Sequence, residues 1–235
     1  MNNSASHLSE TVLAKKDEAL KVIEACRTRY GFYASTQHYH ELWLRDLVFS
    51  EDVLLKLGYQ KDVEKHLSEF IKLQRGNGQM PTVIDYSVSK LIRRTYQRCP
   101  VDTEILFVIG MHKYAAIAGY QFFEENKEAV KSCVAFVESK LDGHRLIPGM
   151  DWRDAMPVYI GKFLLANQML LADMYELLGN SKASSLVKEN VNKLFYLENL
   201  GWYADAIHWD GSELKQDHHF DSLGNALAIL NETAS

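Results

Sequence analysis

Polar and aromatic side chains concentrate in four stretches of the sequence. The first is HYHELWLRD (38–46). Arg45 offers a planar fork of donors and Asp46 two acceptors, so together they could grip adjacent hydroxyls of one small polar ligand. A plain reading competes: Asp46 caps the following helix and Arg45 pairs with it. The second is RGNGQMPTVID (75–85), a turn-rich loop from which Gln79 and Asp85 could reach a cleft, or which simply connects two elements. The third is RLIPGMDWRDAMP (145–157), where Asp151 and Asp154 flank Trp152 and Arg153. A carboxyl beside an indole can have its pKa raised and serve as a general acid. A surface turn with an ordinary Arg–Asp pair explains the string equally well. The fourth, WYADAIHWDGSELKQDHHFDSLGN (202–225), packs two Trp, one Tyr, four Asp, one Glu and three His into 24 residues.

Two chemistries suit that fourth stretch. A metal could be held by His208, His218 and His219, but the string lacks the paired helical histidines of HExxH, and adjacent histidines diverge. A sugar fits better, because aromatic faces cover the apolar side of a pyranose while carboxylates and amides take its hydroxyls. No metal is therefore expected. No cofactor is expected either: P-loop, GxGxxG, GxSxG and CxxC signatures are all missing from the sequence.

The elements that must position these groups read as helices. Apolar spacing predicts helices over 10–28 (with Ser9 as N-cap), 46–57, 61–75, 101–118, 122–140, 160–178 and 182–197, and one starting near Ser222. Residues 101–118 are apolar nearly all round, which predicts a buried helix. No convincing strand run is present, although Tyr203 to Trp209 could form a short extended piece. Short turns (GYQK, GYQ, GNSK) alternate with the long polar loops, a pattern of helical hairpins with one loop-rich face.

Composition sets the bounds. The chain has 235 residues, 47% of them hydrophobic, enough for one domain with a real core. With 26 basic and 31 acidic side chains the net charge is -5, so no basic excess exists to bind nucleic acid through counterion release. No run of about 18 apolar residues spans a membrane. The three widely spaced cysteines, Cys26, Cys99 and Cys133, suit a reducing compartment, and the N-terminal residues lack the apolar core of a secretory signal. A cytoplasmic location is the expectation.

The order of the motifs resembles the six-hairpin, or (α/α)6-barrel, glycosidases. The likeness is to the amylo-α-1,6-glucosidase (glycogen-debranching) type and the neutral/alkaline invertases. Trp43-Leu44-Arg45-Asp46 resembles the W-x-R-D element that opens these barrels, and Val101-Asp102 their V-D element. Trp152-Arg153-Asp154-Ala155 is similar to the W-x-D-A of the debranching type, and Phe220-Asp221-Ser222-Leu223-Gly224-Asn225 to the F-x-S-L-G-N of the invertase type. The segment 161–179 is similar to a family helix with a central Asn.

The resemblance implies inverting hydrolysis of α-glucosides or glucans, with a carbohydrate as the ligand. Asp154 would be the general acid, with Asp151 the competing choice. Arg45 and Asp46 would hold sugar hydroxyls, Trp43, Trp152 and Trp202 would wall the subsite, and Gln79, Asp102, Arg153, His219 and Asp221 would complete it. The family's base is a glutamate later in the barrel, and neither Glu213 nor Glu232 matches its context. The expected fold is therefore all-α: an incomplete (α/α)6 toroid of antiparallel hairpins, one domain over 1–235 lacking its C-terminal third. Inner helices such as 101–118 would then expose apolar surface and drive self-association. A non-catalytic sugar-binding module and a helical-repeat scaffold are the alternatives.

Overall fold

Helical periodicity decides most of the architecture. The computed structural model describes residues 3–86, 93–95, 101–151, 153 and 156–234. It opens with α1 (Asn3–Cys26), followed by β1 (Arg27–Thr28) and β2 (Gly31–Phe32), which pair antiparallel. Then come β3 (Glu41–Leu42), the helices α2 (Leu44–Lys56) and α3 (Gln60–Lys72), and the strands β4 (Val83–Asp85) and β5 (Arg93–Thr95). β3, β4 and β5 form a three-stranded antiparallel sheet. The central helices are α4 (Asp102–Ala118), α5 (Gln121–Glu125) and α6 (Lys127–Glu138). The last part holds β6 (Phe163–Leu164), α7 (Leu165–Leu177), α8 (Ser181–Phe195), β7 (Tyr196–Leu197), β8 (Trp202–Asp210), β9 (Glu213–Phe220) and α9 (Ser222–Leu230).

Alternate helices form two layers. α2 packs on α4, α4 on α7 and α7 on α9, giving an inner row, while α3, α6 and α8 pack behind it. The most apolar sequences occupy this row, as burial of a helix on several sides requires. α4 is buried continuously from Asp102 to Met111, and α7 from Leu165 to Ala172. One buried apolar cluster runs from Phe32 to Ala228. The two ends of the row, α2 and α9, face one another across a cleft.

The structure departs from the periodicity reading at several places, the short strands β1–β5 among them. The first helix begins at Asn3, so Ser9 lies inside it rather than capping it. The helix expected over 122–140 breaks at Asn126, whose φ of -117° ends α5 and whose side chain bonds the Phe122 carbonyl. The helix expected from 160 starts at Leu165, because Phe163 and Leu164 are taken up as a strand against Ile207 and Ala206. The largest difference is the stretch 202–220: the short extended piece expected from Tyr203 to Trp209 is present as β8, but it pairs with β9 in an antiparallel hairpin where a loop was expected. β8 also pairs β6 and β7, making a four-stranded sheet. The fold is thus mostly helical with antiparallel sheets, not all-α.

The apolar surface expected on 101–118 is largely covered, Ile117 near its C-terminal end excepted; exposed large apolar side chains also lie on α2 (Phe49, Val53) and α9 (Ile229, Leu230). Among the described residues no helix is long and apolar enough to cross a membrane.

Candidate functional site

The chain enters α2 through β3, whose Leu42 pairs with Ile84 of β4. Leu42 and Leu44 are buried, which turns the intervening Trp43 and the following Arg45 to the half-exposed side. Arg45 donates from Nε and Nη2 to one oxygen of Asp102, Oδ2, at 2.9 and 2.8 Å. Its guanidinium lies 5.6 Å from the Trp43 ring centroid. Asp46 neither caps the helix nor pairs with Arg45. Trp43 occupies the cap position, and Asp46 sits in the first turn, where the helix dipole favours a negative charge. Asp102 opens α4 and is buried. Burial pushes its carboxyl up, the Arg45 charge and hydrogen bond pull it back, and the nearby charge of Asp151 pushes it up again.

A second arginine is held from the loop that precedes α7. Two α7 side chains fix that loop to the helix. Gln168 accepts from the Ile147 N–H and donates to the Ile147 carbonyl, both at 2.9 Å, and Asn167 donates to the Met150 carbonyl at 3.2 Å. The loop thereby delivers Asp151 and Arg153 to a buried position. Arg153 donates from Nε to Asp151 Oδ1 at 3.0 Å and from Nη2 to Oδ2 at 2.8 Å. Its Nη1 lies 2.7 and 2.8 Å from the two oxygens of Asp205 on β8. Tyr159 donates to Asp205 Oδ2 at 3.0 Å, and its ring lies 4.3 Å from the guanidinium. Burial by itself would lower the pKa of Arg153; the hydrogen bonds and charges of Asp151 and Asp205 more than reverse that. Both Asp151 oxygens therefore accept from Arg153, which suits holding an arginine rather than delivering a proton. Trp152 and Asp154 lie outside the described residues.

Asp221 is the N-cap of α9. Its carboxylate accepts from the Leu223 and Gly224 N–H groups at 3.3 and 2.8 Å. Gly224 allows the close seating of α9 on α7, since a Cβ there would meet Leu165 at 2.9 Å. Asn225 then ties the helix to β8: its Oδ1 accepts from the Tyr203 N–H at 3.0 Å and its Nδ2 donates to the Tyr203 carbonyl at 3.2 Å. Burial pushes the Asp221 carboxyl up. The Gly224 N–H and the Arg153 charge oppose this, and the charges of Asp205 and Asp151 add to it. Asp221 thus lies within electrostatic reach of the buried Asp151–Arg153–Asp205 group.

These elements frame a cleft of about 510 Å³ lined by Arg45, Asp46, Phe49, Ser50, Asp221 and neighbouring residues. The structure brings Arg45, Asp46, Asp102, Asp151, Arg153 and Asp221 together on the side of the inner row where its helices begin. Trp202 and His219 are not among the described residues that line the cleft. Gln79 accepts from Arg75 at 2.9 Å inside its own loop, where Gly78 presses so close to the Ser132 carbonyl that a Cβ would meet it at 1.9 Å. Trp202 lines a separate cavity of about 380 Å³ with Tyr196, Tyr203 and Phe220, because the register of β8 places it at the opposite end of the hairpin from the turn, on the α8 side. His219 is exposed on β9. Among the described residues no group of His, Cys, Asp and Glu is arranged to hold a metal ion.

Two residues of the site escape sequence reasoning, Asp205 and Tyr159. The signal for Asp205 was an acid inside the otherwise apolar run Tyr203–Ile207, since a buried charge needs a partner. Nothing in the local sequence points to Tyr159.

No protein-family model matches the sequence, and no curated protein matches it. Solved structures do match in fold. A rhamnosidase from Klebsiella oxytoca with rhamnose bound superimposes with a TM-score of 0.66 at 14% identity, over 87% of this chain and 41% of that one. A GH78-family rhamnosidase of Bacillus sp. GL1 gives 0.70 at 16% identity, over 91% of this chain and 24% of that one. A family 105 glycoside hydrolase of C. acetobutylicum gives 0.62 at 12% identity, over 88% of this chain and 68% of that one. The chain spans less than half the length of either rhamnosidase. At these identities the likeness is one of fold: the chain has the helical fold found in these glycosidases.

Proposed function

We propose that the chain, acting as one unit, binds a sugar in the α2–α9 cleft and hydrolyses α-glucosides or glucans with inversion. The observation that carries this reading is the convergence of two arginine–carboxylate assemblies, Arg45–Asp102 and Asp151–Arg153–Asp205, beside one open cleft. Arg45 and Asp46 supply donors and acceptors for adjacent hydroxyls. The buried assembly behind them keeps those groups from relaxing when a ligand arrives, which is what preorganised binding requires. Because Asp151 spends both oxygens on Arg153, Asp154 is the general acid in this reading: it protonates the glycosidic oxygen as that bond to the anomeric carbon breaks, while water attacks the same carbon from the opposite face and gives its proton to a carboxylate on that side. The fold likeness to rhamnosidases and to a family 105 glycoside hydrolase supports a glycoside as the substrate.

The test is sugar release from p-nitrophenyl α-glucoside, p-nitrophenyl α-rhamnoside, sucrose and short α-glucans. Release should fall by about 10²–10⁴ in Asp154→Asn, the usual contribution of a general acid. Release unchanged in both Asp154→Asn and Asp151→Asn would remove these roles. The commitment of Asp151 to Arg153 also favours a second reading, a sugar-binding module without turnover. Calorimetric heat with a glycoside that is not cleaved would identify it.

A further inference from the structure

We infer that the site takes glycosides of apolar alcohols: the sugar sits in the α2–α9 cleft, and an alkyl or aryl aglycone lies across α2 in a second, apolar hollow. This rests on the sugar-site reading above and commits it to one kind of aglycone, against a glucan chain.

The hollow encloses about 230 Å³ between the end of α1, the turn that follows it and α2. Val22, Ile23 and Cys26 of α1, Phe32 of β2, and Leu47 and Leu54 of α2 line it. Helix geometry joins it to the cleft. Arg45 and Phe49, four residues apart, line the cleft, while Leu47 and Leu54, seven apart, line the hollow. Asp46 and Ser50 lie on the stripe between these and line both. A ligand that reaches over these two side chains passes from one cavity into the other. The wall of the hollow is set before a ligand arrives. The Tyr33 N–H donates to the Cys26 carbonyl at 2.9 Å, closing the turn that carries Phe32 back to α1. The Phe32 N–H donates to His66 Nδ1 at 3.3 Å, and its ring meets Tyr59 edge-on at 5.6 Å. Burial pushes the Cys26 thiol up, so it stays neutral and acts as a small apolar group. Ser50 already donates its hydroxyl to the Asp46 and Leu47 carbonyls, at 2.6 and 3.0 Å. Among the described residues, the polar groups left on this wall are the Asp46 carboxylate, the Ser50 oxygen and the Tyr33 hydroxyl. A second pyranose in the hollow would bury most of its hydroxyls unpaired, which opposes binding. An alkyl or aryl group has no hydroxyl to strand and gains by leaving water.

An alkyl series tests this, because its members share one sugar. The full chain is titrated calorimetrically with methyl, butyl and hexyl α-glucoside and with maltose. Affinity should rise by about three- to fourfold for each methylene that enters the hollow. Maltose, with a second pyranose in place of the alkyl chain, should bind no tighter than methyl α-glucoside. Val22 is 57% exposed at the rim of the hollow, so Val22→Asp keeps the fold. That variant sets a charge against the alkyl chain and should cut the hexyl-to-methyl affinity ratio severalfold. Hexyl α-glucoside bound no tighter than methyl overturns the inference, as does maltose gaining as much as hexyl, or a hexyl gain that Val22→Asp leaves intact. Each of these outcomes leaves the sugar site standing. Binding of no glucoside at all overturns the sugar-site reading itself and takes the inference with it.

Discussion

Arg153 Nη1 lies within 2.7 and 2.8 Å of the two oxygens of Asp205, a residue 52 positions further along the chain. This contact joins the loop before α7 to the middle of β8, and both partners are buried. Removing one partner of a buried pair strands the other charge, at a cost of about 3–5 kcal/mol. Asp205→Ala should lower unfolding stability by about that amount in a denaturant titration, and Asp205→Asn by less, because the amide oxygen still accepts from Arg153. A loss below about 1 kcal/mol in the alanine variant would show that the pair does not organise this region.

Gln168 makes the same loop dependent on α7. It satisfies both the N–H and the carbonyl of Ile147 in a fully buried setting. Gln168→Leu has nearly the right volume but leaves both backbone groups unpaired, which costs about 1–3 kcal/mol for each buried group. With two such groups stability should fall by about 2–6 kcal/mol, and amide exchange across 145–151 should accelerate more than exchange in α4. Uniform acceleration across the protein would mean that Gln168 only fills space.

A pH dependence follows from Glu51 on α2. The residue is buried at 0% exposure and neither carboxylate oxygen has a hydrogen-bond partner. Burial pushes its carboxyl from the ordinary 4.5 up to about 8. Below the ordinary value both folded and unfolded chains hold the proton, so the site imposes no penalty. Between about 4.5 and 8 the unfolded chain ionises while the folded chain keeps its proton, so stability falls as pH rises, and the loss is complete above the folded value. Glu51→Gln should remove this part of the slope, gaining a few kcal/mol at pH 8 and almost nothing at pH 4. Glu104, also pushed up to about 8 by burial, keeps a similar slope in the variant, so the dependence weakens rather than vanishes. Equal gains for Glu51→Gln at both pH values would contradict the assignment.

Exposed apolar side chains sit on the helices that flank the cleft. Phe49 and Val53 of α2 are 47% and 55% exposed, and Ile229 and Leu230 of α9 are 68% and 76% exposed. Exposed apolar surface of this kind drives association. Light scattering should show species larger than a monomer, and Phe49→Ser with Ile229→Ser should shift them towards the monomer mass. A clean monomer for the unaltered chain would contradict this.

The helices were legible because their core faces repeat at 3.6 residues. Val63, Leu67 and Phe70 of α3 are all fully buried, as their spacing implies, and the all-round apolarity of 101–118 becomes the buried α4. Of the hairpin β8–β9 only a short extended piece over Tyr203–Trp209 was legible, for a physical reason. From Tyr203 to Ile207 every residue of β8 is buried, so the alternation that marks a strand is lost, and β9 is polar on both faces. The arginines and aspartates of the site stood out by type and cluster, but their pairing did not. Arg45 looked like the partner of its neighbour Asp46 and finds Asp102, 57 positions away. Asp221, expected to complete the sugar subsite, also caps α9, a role its Ser-Leu-Gly sequel could have suggested. Distant partners are set by the packing of α2, α4, α7 and β8, which no local pattern encodes.

The central claim is that the cleft between α2 and α9 holds a sugar. The most direct measurement is a crystal structure of the chain soaked with an uncharged methyl α-glycoside. A pyranose should occupy the cleft with its hydroxyls within hydrogen-bond distance of Arg45 and Asp46, and the Arg153–Asp205 pair should stay unmoved. A sugar seated instead in the Trp202 cavity, or none at saturating concentration, would contradict it.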